Sequence, residues 1–274
     1  MICNYFFFRI IKMILILIIK NIKIYMFNQY KIECSKNIFF QLKEQINFEN
    51  ITTGRIGGNI LNIQNNLIPI VRTTTKYKNP AHCFTNLHFE LINKIKDISN
   101  ISHLTFNNAL IEIYTNEYKT MKFHSDQALD LKNNSYICIY SCYSNPLNHD
   151  LRKLIIKNKL SNEIKEINLF NNSITIFSTT DNSENLHKII LDTNICFDNS
   201  EWMGITFRLS KTFIKFINEI PYFYETNNIL KLVSCEKEKK EFYNQRKLEN
   251  QNNEFTYQNI NYTISPSDLL YPIT

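Results

Sequence analysis

The sequence predicts a mainly β fold with flanking helices (α+β), built on a jelly-roll sandwich or barrel, and three observations predict it. From residue 106 onward, short runs rich in Ile, Phe, Tyr and Thr follow one another, the side chains that suit a pleated, half-buried surface. Polar turn signals separate these runs at short intervals, the pattern of an all-β sandwich or barrel. The stretches with helical character, 87–98 and 230–249, lie on either side of the strand-rich middle. At 274 residues the chain can bury a sizeable core. Its expected parts are an apolar extension (1–25), an N-terminal part with a helix (26–100), the jelly-roll core (101–220), and a charged helix with a polar tail (221–274).

Each element has its own warrant. A short helix is expected around 39–46, where apolar and charged residues mix. Gly54, Gly57 and Gly58, three of the four glycines in the chain, mark 52–58 as a turn or loop. Residues 68–77 lead into a polar turn at Lys78-Asn79-Pro80, and 87–98 has the spacing of an amphipathic helix. Strands are expected at 109–114, 136–143, 154–156, 166–169, 173–177, 187–191 and 202–216. Asn171-Asn172 form a tight turn ahead of the core strand Ser173-Ile174-Thr175-Ile176-Phe177. The run Glu236-Lys237-Glu238-Lys239-Lys240-Glu241 reads as a solvated helix, and 250–274 as a polar tail with few constraints.

Composition narrows the function less than the pattern does. The wealth of Asn, Ile, Lys, Phe and Tyr fits a coding sequence of high AT content, so surface Asn and Lys carry little functional information. A net charge of +6 gives weak support for a nucleic-acid partner. The seven cysteines form no Cys-x-x-Cys pair, so neither a zinc knuckle nor a disulfide framework is indicated. A reducing intracellular compartment, cytoplasmic or nuclear, is expected. The apolar N-terminus is interrupted by Arg9 and Lys12, and its uncharged run 13–19 falls short of the roughly 20 residues a bilayer span needs. An extension outside the fold is preferred over an interfacial anchor and a true span, with Met13 and Met26 as further candidate starts.

The chemistry centres on Lys122-Phe123-His124-Ser125-Asp126. Residues two apart on extended backbone face the same way, so His124 and Asp126 would converge on one ion. A second imidazole from a distant strand, His187, completes the two-His, one-carboxylate set that leaves coordination positions open on iron. Read alone, the tripeptide is more often a surface loop, and His187 is equally a loop histidine at a strand start. Downstream, the alternation places Arg208, Ser210 and Thr212 on one strand face and Phe207, Leu209 and Phe213 on the other. An arginine facing a barrel interior needs an anionic partner, and a dicarboxylate co-substrate is one. The other reading is an arginine on the solvent face.

At these residues the chain resembles the Fe(II)/2-oxoglutarate-dependent oxygenases, and within them the AlkB branch. Residues 106–126 are similar to the AlkB pattern Phe-Asn-x-x-Leu-x-Asn-x-Tyr…Trp-His-x-Asp, with the same spacing from Tyr114 to His124. Ile205-Thr206-Phe207-Arg208 resembles that branch's closing strand, Arg-x-Asn-x-Thr-x-Arg, and the likeness covers about 69–214. It implies a double-stranded β-helix core, iron held by His124, Asp126 and His187, and 2-oxoglutarate held by Arg208, Ser210 and Tyr114. Glu112 stands where the branch has an Asn beside the co-substrate. The closing strand admits two registers. In one, the first Arg of the pattern falls on Trp202 and its Asn on Gly204. In the other, which we prefer because an Arg-x-Ser pair suits the distal carboxylate, Arg208 is the first Arg.

The resemblance further implies O2 as co-substrate and oxidative N-demethylation of nucleic-acid bases, by hydroxylation of an N-methyl group and loss of formaldehyde. Pro69-Ile70-Val71-Arg72…Tyr77 is similar to the branch's nucleotide-recognition lid. Arg72 and Lys76 would then face phosphates of a methylated nucleic acid, and Tyr77 would stack on a flipped base. An ordinary edge strand with a packed Tyr is the other reading of these residues. The expected protein is a monomer without a membrane partner. A hydroxylase of a protein or small molecule and a degenerate, non-catalytic barrel are the alternatives, the latter supported by Glu112.

Overall fold

Alternation of apolar side chains along β-branched and aromatic runs makes two-faced strands, and the computed structural model shows how they assemble. It describes residues 27–34, 36–146, 151–192, 200–258 and 260–274; the apolar extension and both candidate starts lie outside them. In chain order the strands are β1 (Asn28–Lys31), β2 (Glu49–Thr52), β3 (Arg55–Leu61), β4 (Ile68–Pro69), β5 (His82–Cys83), β6 (Asn108–Tyr114), β7 (Tyr136–Tyr143) and β8 (Arg152–Asn158). They continue with β9 (Ile164–Asn168), β10 (Ser173–Ser178), β11 (Asn185–Leu191), β12 (Trp202–Arg208), β13 (Phe213–Ile217), β14 (Ile220–Phe223), β15 (Lys231–Leu232) and β16 (Tyr262–Thr263). The helices are α1 (Phe39–Glu44), α2 (Asn86–Ser99), α3 (Thr179–Glu184) and α4 (Glu236–Gln251).

A large sheet runs in the order β1-β10-β7-β12-β6-β3-β2, antiparallel along that path, with β5 added parallel to β3. A smaller sheet, β11-β8-β9, faces it. Tyr114, Ile137, Ile139 and Tyr143 from the large sheet bury against Leu154, Ile156, Ile167, Ile189 and Leu191 from the small one. This is the expected mainly β jelly roll with flanking helices. The other face of the large sheet carries Ala109, Ile111, Ile113, Cys138, Met203, Ile205 and Phe207, covered by Phe39, Leu42, Leu91, Ile92 and Ile95 from α1 and α2. Burying each such Leu or Ile contributes about 1.5–3 kcal/mol.

With so few glycines, asparagine takes the left-handed turn positions, where its short polar side chain tolerates positive φ. Asn100 closes α2 at φ 54° and Asn172 turns into β10 at φ 52°. Part of the asparagine content is therefore structural.

Four expectations are corrected. Residues 55–58 are strand, not loop. Only Gly54 is in a turn, at φ 71°, while Gly57 lies in β3, where a Cβ would come within 3.1 Å of the Tyr77 hydroxyl and 3.3 Å of Glu112 Cγ. The run 202–216 is broken after Arg208, because the chain leaves the large sheet there and re-enters pairing as β13 against β4 and β14. The charged helix begins at Glu236 and is not wholly solvated, since Phe242, Gln245, Arg246 and Glu249 are buried. The tail is constrained as well. Tyr262, Thr263, Ile264, Ser265 and Ser267 are buried, and Ser265 Oγ accepts the Tyr77 amide at 2.9 Å.

Candidate metal centre

The His-x-Asp segment follows β6 as irregular backbone, stitched to β11 by a single antiparallel bridge. The His124 amide donates to the His187 carbonyl at 3.0 Å, and the His187 amide returns to His124 at 2.6 Å. This pairing sets the two imidazoles side by side, with ring centroids 4.6 Å apart. One ligand atom from each of His124, Asp126 and His187 lies within 4.8 Å of the others. His187 Nε2 is 3.7 Å from Asp126 Oδ1. His124 Nδ1 lies 3.0 Å from the Lys122 carbonyl. With the proton on Nδ1 donated there, Nε2 is left as the free lone pair, the usual way a ligating histidine is oriented.

Asp126 is held from both sides. The Asn182 side chain in α3 accepts from its amide at 2.6 Å and donates to its carbonyl at 2.7 Å. The capping box of Ser178 and Asp181, with Ser178 Oγ accepting from the Asp181 amide at 3.0 Å, fixes the start of that helix. From the other side α4 clasps the ligand loop. Arg246 donates to the Ser125 carbonyl and to Glu249, Asn250 Oδ1 accepts the Ser125 amide at 3.1 Å, and Glu249 Oε1 accepts the Ala128 amide at 2.8 Å.

The electrostatics leave all three groups in the state a cation needs. Burial lowers His187 to about 3, with His124 and Arg246 adding to the effect; burial, then Arg246, lowers His124. Both rings are neutral donors at pH 7. Burial works against the Asp126 charge, but Arg208 and the two histidines outweigh it and hold its carboxyl below the ordinary range. Asp126 Oδ2, His187 Nδ1 and Arg208 Nε are buried without a hydrogen-bond partner. An anion and two neutral imidazoles around one point, with an unused carboxylate oxygen, fit a divalent cation.

The centre opens into a cavity of about 900 Å³ lined by His124, Asp126, His187, Arg208, Glu112 and Tyr114, among others. Arg208 is 3 % exposed and its Nη1 lies 3.9 Å from Asp126 Oδ2. Ser210 is not beside it. Past the end of β12, its hydroxyl donates to the Ile70 carbonyl at 2.6 Å and accepts the Thr212 amide at 3.0 Å, so the preferred Arg-x-Ser register is corrected. The inward face of β12 is Trp202, Gly204, Thr206 and Arg208, which is the other register. Trp202 lies across Gly204, so closely that a Cβ there would fall 2.1 Å from the indole.

The lid reading is corrected too. Arg72 is buried and bidentate on Asp130, at 3.0 Å from Nε and 2.7 Å from Nη2, with Nη1 on the Ile260 carbonyl at 2.6 Å. It faces a carboxylate, not a phosphate. Tyr77 is 2 % exposed, and its hydroxyl is 3.3 Å from Glu112 Oε1, leaving no face open to a base. Of the three expected lid residues, only Lys76 is exposed. The mouth is instead edged by exposed Lys122, Tyr243 and Lys247, two of them from α4. The sequence reading also missed Asn182, Arg246, Glu249 and Arg55. For α3 alone there was a legible signal, the Ser-x-x-Asp capping pattern.

Fold and site together define a jelly-roll protein with a candidate metal centre in the mouth of its barrel. No family model matches the sequence, and no curated protein resembles it closely enough to match. Among solved structures it is similar to "The structure of OsALKBH1", at 12 % identity over 63 % of this chain and 89 % of that one, with a TM-score of 0.43. Among the described residues no helix is long and apolar enough to cross a membrane.

Proposed function

We propose that the protein is an Fe(II)-dependent oxygenase driven by a 2-oxo acid, acting by oxidative demethylation on nucleic-acid bases. The observation that carries this reading is the convergence of buried His187 with half-buried His124 and Asp126, beside an Arg208 whose Nε is buried without a hydrogen-bond partner. Two histidines and a carboxylate are the set that leaves open positions on ferrous iron. When bound, such an ion activates O2, with the 2-oxo acid supplying two of the electrons. The chain's own residues hold and shield that chemistry. The Lys122 carbonyl and Asn182 orient the ligands, Arg208 would receive a carboxylate, and Leu110, Ile139 and Ile189 add apolar surface to the cavity wall. Lys122, Lys247 and Tyr243 at the mouth support a substrate with phosphates and flat bases.

Equilibrium dialysis with Fe(II) under anaerobic conditions tests the centre. His124→Ala, Asp126→Ala and His187→Ala should each weaken binding on the order of a hundredfold or more, since even outer partners of metal ligands cost ten- to a hundredfold. Wild-type protein that binds no ion, or a variant that binds as wild type does, would overturn it. Formaldehyde release from methylated oligonucleotides then tests the substrate class, and release of succinate or its analogue with peptides alone would replace it.

A further inference from the structure

The cavity has a second charged centre, away from the ligands. Arg55 of β3 donates to Glu112 Oε1 from Nε at 2.9 Å and from Nη2 at 2.5 Å. Tyr114 donates to Oε2 at 2.5 Å, and Tyr77 to Oε1 at 3.3 Å. Burial first, then Glu112, pushes both phenols well above their ordinary range, so they stay protonated donors. Glu112 thus has the surroundings of a bound carboxylate, with one guanidinium and two phenols. Gly57 makes the room for it, because any side chain there would meet both the Tyr77 hydroxyl and Glu112. The other cation nearby, Arg152, gives its guanidinium to the Tyr118 and Thr115 carbonyls at 2.5 and 2.6 Å.

Arg208 and Glu112 lie on the two central, paired strands of the same sheet. Glu112 is opposite Gly204, four residues along β12 from Arg208, which spans about 13 Å of strand. The indole of Trp202 lies over Gly204 between the strand's end and Arg208. One end of the cavity therefore offers an anion the Arg208 guanidinium, its Nε without a hydrogen-bond partner, beside the candidate metal ligands, and the other end already contains its own anion. Resting on the 2-oxo acid reading above, we propose that Glu112 fills the seat a co-substrate's far carboxylate would need, so that the site selects a 2-oxo monocarboxylate over 2-oxoglutarate.

A second carboxylate within about 4 Å of Glu112 would share one arginine between two anions, and unscreened repulsion there costs affinity on the order of a hundredfold or more. The disagreement with the co-substrate that the resemblance implies is thus a matter of charge as well as of space.

The test is calorimetric titration of Mn(II)-loaded, full-length protein with 2-oxobutyrate and with 2-oxoglutarate, with the shift in melting temperature as a second readout. The wild type should bind 2-oxobutyrate at least about tenfold more tightly. Glu112→Gln, which keeps an acceptor for Tyr114 and frees Arg55, should tighten 2-oxoglutarate about a hundredfold and leave 2-oxobutyrate nearly unchanged. Glu112→Asn should shift the preference the same way. A wild-type preference for 2-oxoglutarate overturns the proposal with no variant needed, as does a preference that both variants leave intact. Metal-loaded protein that binds neither acid overturns the oxygenase reading along with it, whereas metal binding with 2-oxoglutarate preferred overturns this inference alone.

Discussion

The two faces of β12 share one backbone and divide the protein's work. Met203, Ile205 and Phe207 point to α1 and α2 and are completely buried among apolar side chains. Trp202, Gly204, Thr206 and Arg208 point into the cavity, together with Glu112 and Tyr114 from β6. On the first face every side chain gains from leaving water. On the second, charges are held in low-dielectric surroundings by specific partners, and some polar atoms are left without one. The difference teaches that the helix-covered face fixes the sheet, which lets the other face carry groups that add little to stability by themselves.

The largest effect separating the faces should come from neighbouring residues. Phe207→Ala, on the helix side, should cost about 3–5 kcal/mol through lost burial and a cavity. Thr206→Ala, on the cavity side, should change stability by less than about 0.5 kcal/mol. Urea unfolding followed by circular dichroism measures both, and equal midpoint shifts would break the comparison.

A buried ion pair outside both faces gives the next effect. Asp130, fully buried, takes the Arg72 guanidinium and amide at 2.7–3.0 Å. Removing one partner strands the other, so Asp130→Leu should destabilise by about 3–5 kcal/mol, whereas the double change to Leu and Met should recover most of the loss. A double-mutant cycle in urea checks it. If the single change is silent, residues 69–73 are not fixed by this pair and the lid reading regains its ground.

The smallest effect concerns the helix side alone. His88, at the start of α2, accepts the Thr85 amide on Nδ1 at 3.1 Å, and burial lowers it to about 4. Between its ordinary value of about 6.5 and its folded value, the unfolded chain binds a proton that the folded chain refuses. Stability should therefore fall as pH drops through that window, by at most about 1.4 kcal/mol per pH unit for one such group. Above pH 6.5 the group contributes no slope. Unfolding midpoints of wild type and His88→Gln across pH 4–7 measure it, and identical slopes would remove His88 as the source.

Local pattern determined much of this protein. Alternation marked the strands from β6 to β11 within a few residues, and the start of β12, because a side chain's face follows from its parity along the chain. Helical spacing marked α2, and Asn171-Asn172 marked the turn into β10. His124, Asp126 and His187 were legible as a candidate donor set because metal chemistry restricts residue type as well as spacing. What only the tertiary structure decided were the partners of charged groups. Arg72 meets Asp130 across 58 positions of sequence and Arg55 meets Glu112 across 57. Arg246 reaches back 121 positions to the loop that carries Asp126. No period records such pairs, since a charge is stabilised by whichever distant segment the fold brings beside it. For the same reason the register of the closing strand, and with it the place of Ser210, was settled by where the chain leaves the sheet and not by the alternation leading up to it.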